Sequence, residues 1–169
     1  MTTLDYSSLY PMAPLGGLFI GVIGIFVVLG GLLAKQRMVL VYIGFAIGTL
    51  AIIFGGRFTR GLSHPSTFQV ASLVAAIAFE IAAFRFLMPR LRLSGARASV
   101  GGTLGIVGAH FLIMEPAFGP VVAALGILCL INAAIAWRSP SYPLGAAWAI
   151  DGILKIACGC GLLMTSPAL

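Results

Sequence analysis

Six apolar runs occupy most of this chain, and they constrain its fold more than any other feature. Most of the runs are close to the roughly 20 residues that an α-helix needs to cross the hydrocarbon core of a membrane. The connections between them are short and contain Pro, Gly and basic residues. The sequence therefore predicts an all-α, polytopic membrane protein with six transmembrane helices. The predicted spans are Pro14–Ala34, Met38–Gly55, Thr67–Met88, Val100–Met114, Pro120–Trp137 and Leu144–Met164.

The composition indicates that lipid is the solvent of this chain. Of its 169 residues, 60% are hydrophobic and only 8% are charged. A soluble domain carries about 25% charged residues, so this chain has too few to cover a soluble particle. The formal net charge is +6, but the basic residues stand mostly between the apolar runs. That distribution is typical of topology signals and of contacts with lipid headgroups, and we expect no nucleic-acid partner.

The basic residues also predict an orientation. The first, third and fifth connections together hold six Lys and Arg residues, the second holds two Arg residues, and the fourth connection and both termini hold neither type. Because loops with more Lys and Arg stay in the cytoplasm, we expect the odd-numbered connections to be cytoplasmic. This predicts a multi-pass protein of the cell inner membrane with both termini outside. The residues of the odd-numbered connections are Lys35, Arg37, Arg90, Arg92, Arg97 and Arg138, and those of the second are Arg57 and Arg60.

The two halves of the chain resemble each other in an ordered set of features. Each half begins with a Gly pair, has an Arg after its second span, and has an acid followed by a base in its third span. Since three spans per half is an odd number, the halves would insert in opposite senses, as in many transporters. The sequence thus predicts one transmembrane domain, with an external segment over 1–13 and inverted three-helix repeats over 14–90 and 99–167. The paired features are Gly16-Gly17 with Gly101-Gly102, Arg57 with Arg138, and Glu80/Arg85 with Asp151/Lys155.

Several ionisable residues lie within the predicted spans, and three of them, Glu80, Asp151 and Lys155, lie well inside. They matter because a charge in hydrocarbon is costly unless it is paired or faces a cavity. Asp151 and Lys155 are four residues apart and share one helix face. They form either a self-neutralising pair that fixes helix packing or a polar patch in a pore. Glu80 has no such neighbour on its own helix, and we expect its partner across the bundle, with Lys155 as the nearest candidate.

Three further polar residues are candidates for an ion or substrate pathway. His110 and Glu115 stand close together at the predicted external end of the fourth span. A His beside a Glu can act as a proton sensor, although a helix-end His is also often satisfied by backbone groups. Asn132 is a lone polar residue in the fifth span, where hydrogen bonding between helices is the usual role.

Motifs for catalysis or metal binding are absent from the sequence. There is no cluster of Cys, His and carboxylate residues with metal-ligand spacing. We also find no nucleophile elbow, phosphate loop or zinc-protease helix. The sequence accordingly predicts neither an enzyme nor a metal or cofactor site.

The last span carries two resemblances to known families. Residues 149–159 resemble the final helix of microbial rhodopsins, which implies Lys155 as a candidate retinal attachment residue. That family has seven spans and a counter-ion helix with no counterpart here. Asp151-Gly152-Ile153-Leu154 and the span Leu15–Lys35 resemble urea and amide channels, which have six spans in two inverted triplets and external termini. Lys155 and a shortage of pore-lining aromatic residues depart from that second family.

These features together predict a membrane channel or transporter for a small polar solute or protons. Glu80, Asp151 and Lys155 would line its central site, and His110 and Glu115 would lie near its external mouth. The small bundle and its glycine-rich faces predict a homo-oligomer in the lipid bilayer. The alternative is a structural or accessory subunit of a larger membrane complex, with buried charge pairs and no transported solute.

Overall fold

A computed structural model describes residues 3–56 and 62–166, and all regular secondary structure in these ranges is helical, with no strand in them. Six helices are long and apolar enough to cross a membrane, so the predicted all-helical, six-span class is confirmed. Arg57 and Arg60 lie outside the described residues. The helices are α1 (Thr3–Leu9), α2 (Ala13–Leu32), α3 (Arg37–Phe54, after a 3-10 turn at Ala34–Gln36), α4 (Thr67–Phe86), α5 (Met88–Leu93), α6 (Ala96–Ile113), α7 (Glu115–Phe118), α8 (Pro120–Arg138) and α9 (Leu144–Leu163).

The largest difference from the predicted spans is at the start of α6. This helix begins at Ala96, about one turn before the predicted Val100. Gly95 precedes it with a φ of 104°, a conformation that favours glycine and marks the true boundary. The short helices α1, α5 and α7 were not predicted, and the latter two each have a proline in their first turn, a position that suits proline.

The six long helices pack as two hairpins, α2–α3 and α6–α8, with α9 lying along α2 and α4 lying along α6. The pairs α2–α9 and α6–α8 are antiparallel, because Gly17 lies near Gly159 and Gly108 lies near Gly126. This pairing pattern is what an inverted repeat requires, although the repeat itself stays a prediction. It also brings the α2–α3, α4–α6 and α8–α9 connections to one end of the bundle, which we call the basic end. Its basic residues are Lys35, Arg37, Arg85, Arg90, Arg92, Arg97 and Arg138.

Glycines hold α2 and α9 in backbone contact. Three glycines on each helix recur every seven residues, so they form one stripe along each helix face. A Cβ atom added at any of them would lie 2.5–2.8 Å from a backbone atom of the other helix. Only glycine fits that approach, and the resulting close packing is the main way in which membrane helices associate. The six residues are Gly17, Gly24, Gly31, Gly145, Gly152 and Gly159.

Arg97 organises the basic end. This residue stands near the start of α6, and its guanidinium donates hydrogen bonds to carbonyls in the segment that joins α8 to α9. It thereby satisfies one free carbonyl in the last turn of α8, where no partner is available within the helix, and three carbonyls in the segment that follows. The acceptors are the backbone oxygens of Ala136 at 3.0 Å, Ser139 at 2.5 Å, Tyr142 at 3.1 Å and Pro140 at 2.6 Å.

We expect Arg97→Gln to lower the free energy of unfolding by on the order of 2 kcal/mol, because hydrogen bonds from a charged group are lost together. The measurement is reversible unfolding in mixed micelles, followed by circular dichroism. Arg92→Gln is the matched control, since Arg92 is exposed and donates no side-chain hydrogen bond within the described ranges. Equal destabilisation by both changes would contradict this role of Arg97.

The opposite end of the bundle is covered by α1 and α7. The Tyr6 hydroxyl donates a 2.7 Å hydrogen bond to the carbonyl of Phe118, and burial raises the pKa of Tyr6 to about 12. Gln69 at the start of α4 donates a 2.8 Å hydrogen bond to the carbonyl of Leu9. Gly119 follows α7 with a φ of 87°, and a side chain there would meet the Tyr6 ring. The N-terminal helix therefore closes this end over the helices that carry the charged residues.

Candidate functional site

Asp151 and Lys155 form an ion pair in the interior of the bundle. They lie one turn apart on α9, as their spacing predicts, and the Lys155 Nζ atom donates to Oδ2 of Asp151. Their side chains are only 2% and 4% exposed. Asp151 directly precedes Gly152, which contacts α2, so the glycine stripe fixes the height of the pair in the bundle. A pair of this kind is far less costly in an apolar interior than either charge alone.

The second oxygen of Asp151 is left without a conventional partner. Oδ1 is buried and accepts no hydrogen bond from the described residues. The Cys129 thiol on α8 approaches Asp151, but not with the geometry of a normal hydrogen bond. A buried acceptor without a donor costs about 1–3 kcal/mol. A pair that served packing alone would be expected to saturate this oxygen.

Glu80 and His110 form a second acid–base pair. The Nδ1 atom of His110 lies 2.7 Å from Oε2 of Glu80, and their side chains are 12% and 22% exposed. The prediction that Lys155 is the partner of Glu80 is wrong, because α4 packs along α6 and not along α9. His110 likewise faces the acid on α4 and forms no ion pair with Glu115.

The ring of Phe111 lies beside one member of each pair. Lys155 Nζ lies 5.5 Å from the centre of this ring, within the range of a cation–π interaction. The His110 ring meets the Phe111 ring edge-on, with 5.4 Å between the ring centres. Phe111 itself is only 5% exposed. We call Glu80, His110, Asp151 and Lys155, together with Phe111, the acid–base cluster.

The other two candidate residues do not belong to this cluster. Glu115 begins α7 at the end covered by α1, and it forms no ion pair within the described ranges. Asn132 connects α8 to α9: its Nδ2 donates to the carbonyl of Ala147 at 2.8 Å, and its Oδ1 accepts from the Tyr142 hydroxyl at 2.9 Å. Burial raises the pKa of Tyr142. Asn132 therefore fixes two helices relative to each other, as expected for a lone polar residue in a span.

Two parts of this arrangement escaped the sequence analysis. Phe111 carries no signal in the sequence, because its position beside both pairs depends on how three helices pack. The glycine stripe is visible in the sequence as a seven-residue recurrence, but the glycine-rich faces were interpreted only as favouring a homo-oligomer. No group of three or more His, Cys, Asp or Glu residues with metal-binding geometry occurs in the described part of the chain.

Comparison with known proteins places this chain in a family but assigns it no activity. The sequence matches the family described as a family of unknown function (DUF6609) over residues 5–168, and the chain belongs to that family. Neither the curated proteins nor the solved structures gave a match. The geometry of the acid–base cluster is therefore the basis of the function proposed below.

Proposed function

We propose that this member of DUF6609 is a membrane channel or transporter that moves protons, alone or with a small polar solute, through the acid–base cluster. The observation that carries the proposal is that two acid–base pairs, from three spanning helices, each have one member beside the buried ring of Phe111. Ionisable residues inside a membrane are costly and usually mark ion pathways or proton relays.

Protons fit the geometry better than a larger solute. The side chains of Asp151 and Lys155 are almost fully buried, so a solute could reach them only after the bundle opened. A proton needs only a chain of donors and acceptors that can exchange it. Histidine is the residue type whose charge changes most readily between pH 5 and 8, and His110 contacts a carboxylate. The free Oδ1 of Asp151 offers a further acceptor.

Phe111 would act as the barrier in this pathway. Its buried ring lies beside both His110 and Lys155, and we infer that it interrupts the path between the two pairs. Displacement of the ring would let water or a solute connect them. Conformational gating by a single buried side chain is consistent with a small bundle that has little room for a large alternating-access site. The protein acts in this proposal as a transporter without catalytic chemistry.

The proposal includes the predicted membrane and orientation. Concentration of Lys and Arg at the basic end favours a cytoplasmic position for that end in the cell inner membrane, with both termini outside. The homo-oligomer also remains part of the proposal. Large apolar side chains on α3, including Tyr42, Ile53 and Phe54, are exposed in the single chain and would contact lipid or a neighbouring copy.

The test is proton flux in proteoliposomes that enclose a pH-sensitive dye. Under an imposed potassium diffusion potential, we expect wild-type protein to acidify or alkalinise the lumen faster than empty liposomes do. His110→Gln and Asp151→Asn should each lower that flux by at least about 100-fold, or to background, since positioned proton-transfer groups contribute on the order of 10²–10⁴-fold.

Glu115→Gln is the matched control, because it removes a carboxylate that lies outside the cluster. It should keep the wild-type flux. A flux that survives in both His110→Gln and Asp151→Asn would exclude the cluster as the pathway. Wild-type flux no faster than that of empty liposomes, with helical protein confirmed by circular dichroism, would count against the whole proposal.

An accessory subunit is the second candidate, and the full burial of the Asp151–Lys155 pair favours it. Such a pair neutralises itself within one helix and needs no solute. In this case α3, whose spanning window is only 11% buried, would supply the surface for a larger membrane partner. The two candidates differ in what the loss of both charges does to activity.

A further inference from the structure

A long apolar groove opens on the surface of the bundle between α4, α5, α6 and α8. Its volume is about 580 Å³. Glycines of α6 contribute to its lining together with aliphatic and aromatic side chains. The lining includes Phe79, Leu91, Gly101, Gly105, Ala109 and Trp137.

The groove has a direction and a charged end. Gly101 and Trp137 lie toward the basic end of the bundle, whereas Ala109 lies deeper in α6. The distance from Gly101 to Ala109 along the helix is about 12 Å, at 1.5 Å per residue. That is close to half of a hydrocarbon core of about 30 Å. The groove thus spans roughly one leaflet of the membrane.

Among the described residues that line the groove, Arg90 is the only charged one, and it lies at the basic end. Its side chain is exposed and forms no ion pair within the described part of the chain. Arg85 and Arg92 are exposed close by in sequence, and no acidic residue stands in this connection. Trp137 is half-exposed beside the same end, a placement typical of the membrane–water interface.

We propose that this groove binds one acyl chain of an anionic phospholipid, whose headgroup phosphate pairs with Arg90. An apolar groove that spans one leaflet suits an acyl chain. The guanidinium of Arg90 lies at headgroup level without an ion-pair partner among the described residues, and it can form two hydrogen bonds to a phosphate. Lipid binding in this groove does not require that the acid–base cluster conducts protons.

A second copy of this chain is the less suitable occupant. The carboxylates with described side chains are Glu80, Glu115 and Asp151, and each has a place elsewhere. Two of them are paired inside the bundle, and Glu115 lies at the opposite end. A neighbouring copy therefore has no described acid to offer to Arg90, whereas an anionic lipid brings its charge to that height in the membrane.

The deep end of the groove lies beside the second acid–base pair. Phe79 and Ala109, which line that end, directly precede Glu80 and His110 in sequence. Both side chains of this pair retain some exposure. A bound acyl chain would lie next to them and limit the access of water from that side.

The test is native mass spectrometry of the full chain, released from detergent micelles that contain either a phosphatidylglycerol or a phosphatidylcholine with the same chains. We expect wild-type protein to bind one phosphatidylglycerol at least about fivefold more strongly than phosphatidylcholine, the ratio that one basic residue near headgroups supplies. Arg90→Gln should abolish this preference, while Arg85→Gln, outside the lining, should keep it.

A second variant separates the apolar groove from its charge. A Cβ added at Gly105 would meet only the Cβ of Ala133, at 3.8 Å, so Gly105→Leu has room at its base and fills the groove beyond. We expect the Gly105→Leu variant to bind neither phosphatidylglycerol nor phosphatidylcholine in the groove. The proposal is overturned if wild-type protein shows no preference, if Arg90→Gln keeps it, or if Arg85→Gln loses it equally. Should Gly105→Leu fail to fold, the comparison of Arg90→Gln with Arg85→Gln decides alone.

Discussion

Replacing Gly159 by alanine is expected to separate α2 from α9, while the same change at Gly161, two residues later on α9, is expected to leave them in place. A methyl group at Gly159 would lie 2.5 Å from the backbone nitrogen of Gly21 and 2.6 Å from the carbonyl oxygen of Gly17. Because both contacts are backbone atoms, no side chain can rotate away, and the helices must move apart. At Gly161 no atom of the described residues lies within 4 Å of the added carbon.

The two changes are chemically identical, so their difference isolates packing between the helices. Alanine gains up to about 1 kcal/mol over glycine in helix propensity, and Gly161→Ala should be neutral or slightly stabilising. Gly159→Ala should be less stable than Gly161→Ala by about 1–3 kcal/mol, the usual cost of overpacking. Reversible unfolding in mixed micelles measures both. Equal stability of the two variants would show that α2 and α9 do not meet at Gly159.

Much of the fold could be predicted because lipid imposes simple requirements on a sequence. Spans must be apolar and about 20 residues long, which located α2, α4, α8 and α9 to within a few residues. The pairing of the helices was harder. Gly24 and Gly152 stand opposite each other, yet their seven-residue recurrences on two distant segments do not say which helix faces which. The short helices depend on local turns that a search for apolar runs overlooks.

The candidate site was predicted in part, and the division has a physical cause. Asp151 and Lys155 lie on the same helix, so a fixed period of 3.6 residues per turn brings them together. The contact between Glu80 and His110 joins α4 to α6 and depends on the relative height of two separate helices. Pseudo-symmetry suggested Lys155 as the partner of Glu80, but α9 packs on α2 instead. Contacts between helices require knowledge of packing that spacing alone does not contain.

The second large effect is expected at the buried ion pair. Lys155→Met leaves the Asp151 carboxylate without its partner, and Asp151→Asn leaves the Lys155 ammonium without its own. Because both side chains are at most 4% exposed, each single change should lower the free energy of unfolding by about 3–5 kcal/mol, as for other buried pairs. The double variant removes both charges together, and it should cost much less than the sum of the two.

The double variant also separates the two candidate functions, because it retains the fold while it removes the charges. If the cluster conducts protons, the double variant should unfold nearly as wild-type protein does and yet show no proton flux above empty liposomes. If the pair serves packing in an accessory subunit, neither wild-type nor double-variant protein should show flux, and both should fold alike. Glu115→Gln supplies the control for loss of a carboxylate elsewhere. The losses in the free energy of unfolding of the two single variants could also add up to the loss in the double variant. That result would mean that Asp151 and Lys155 act independently, which contradicts their contact on α9.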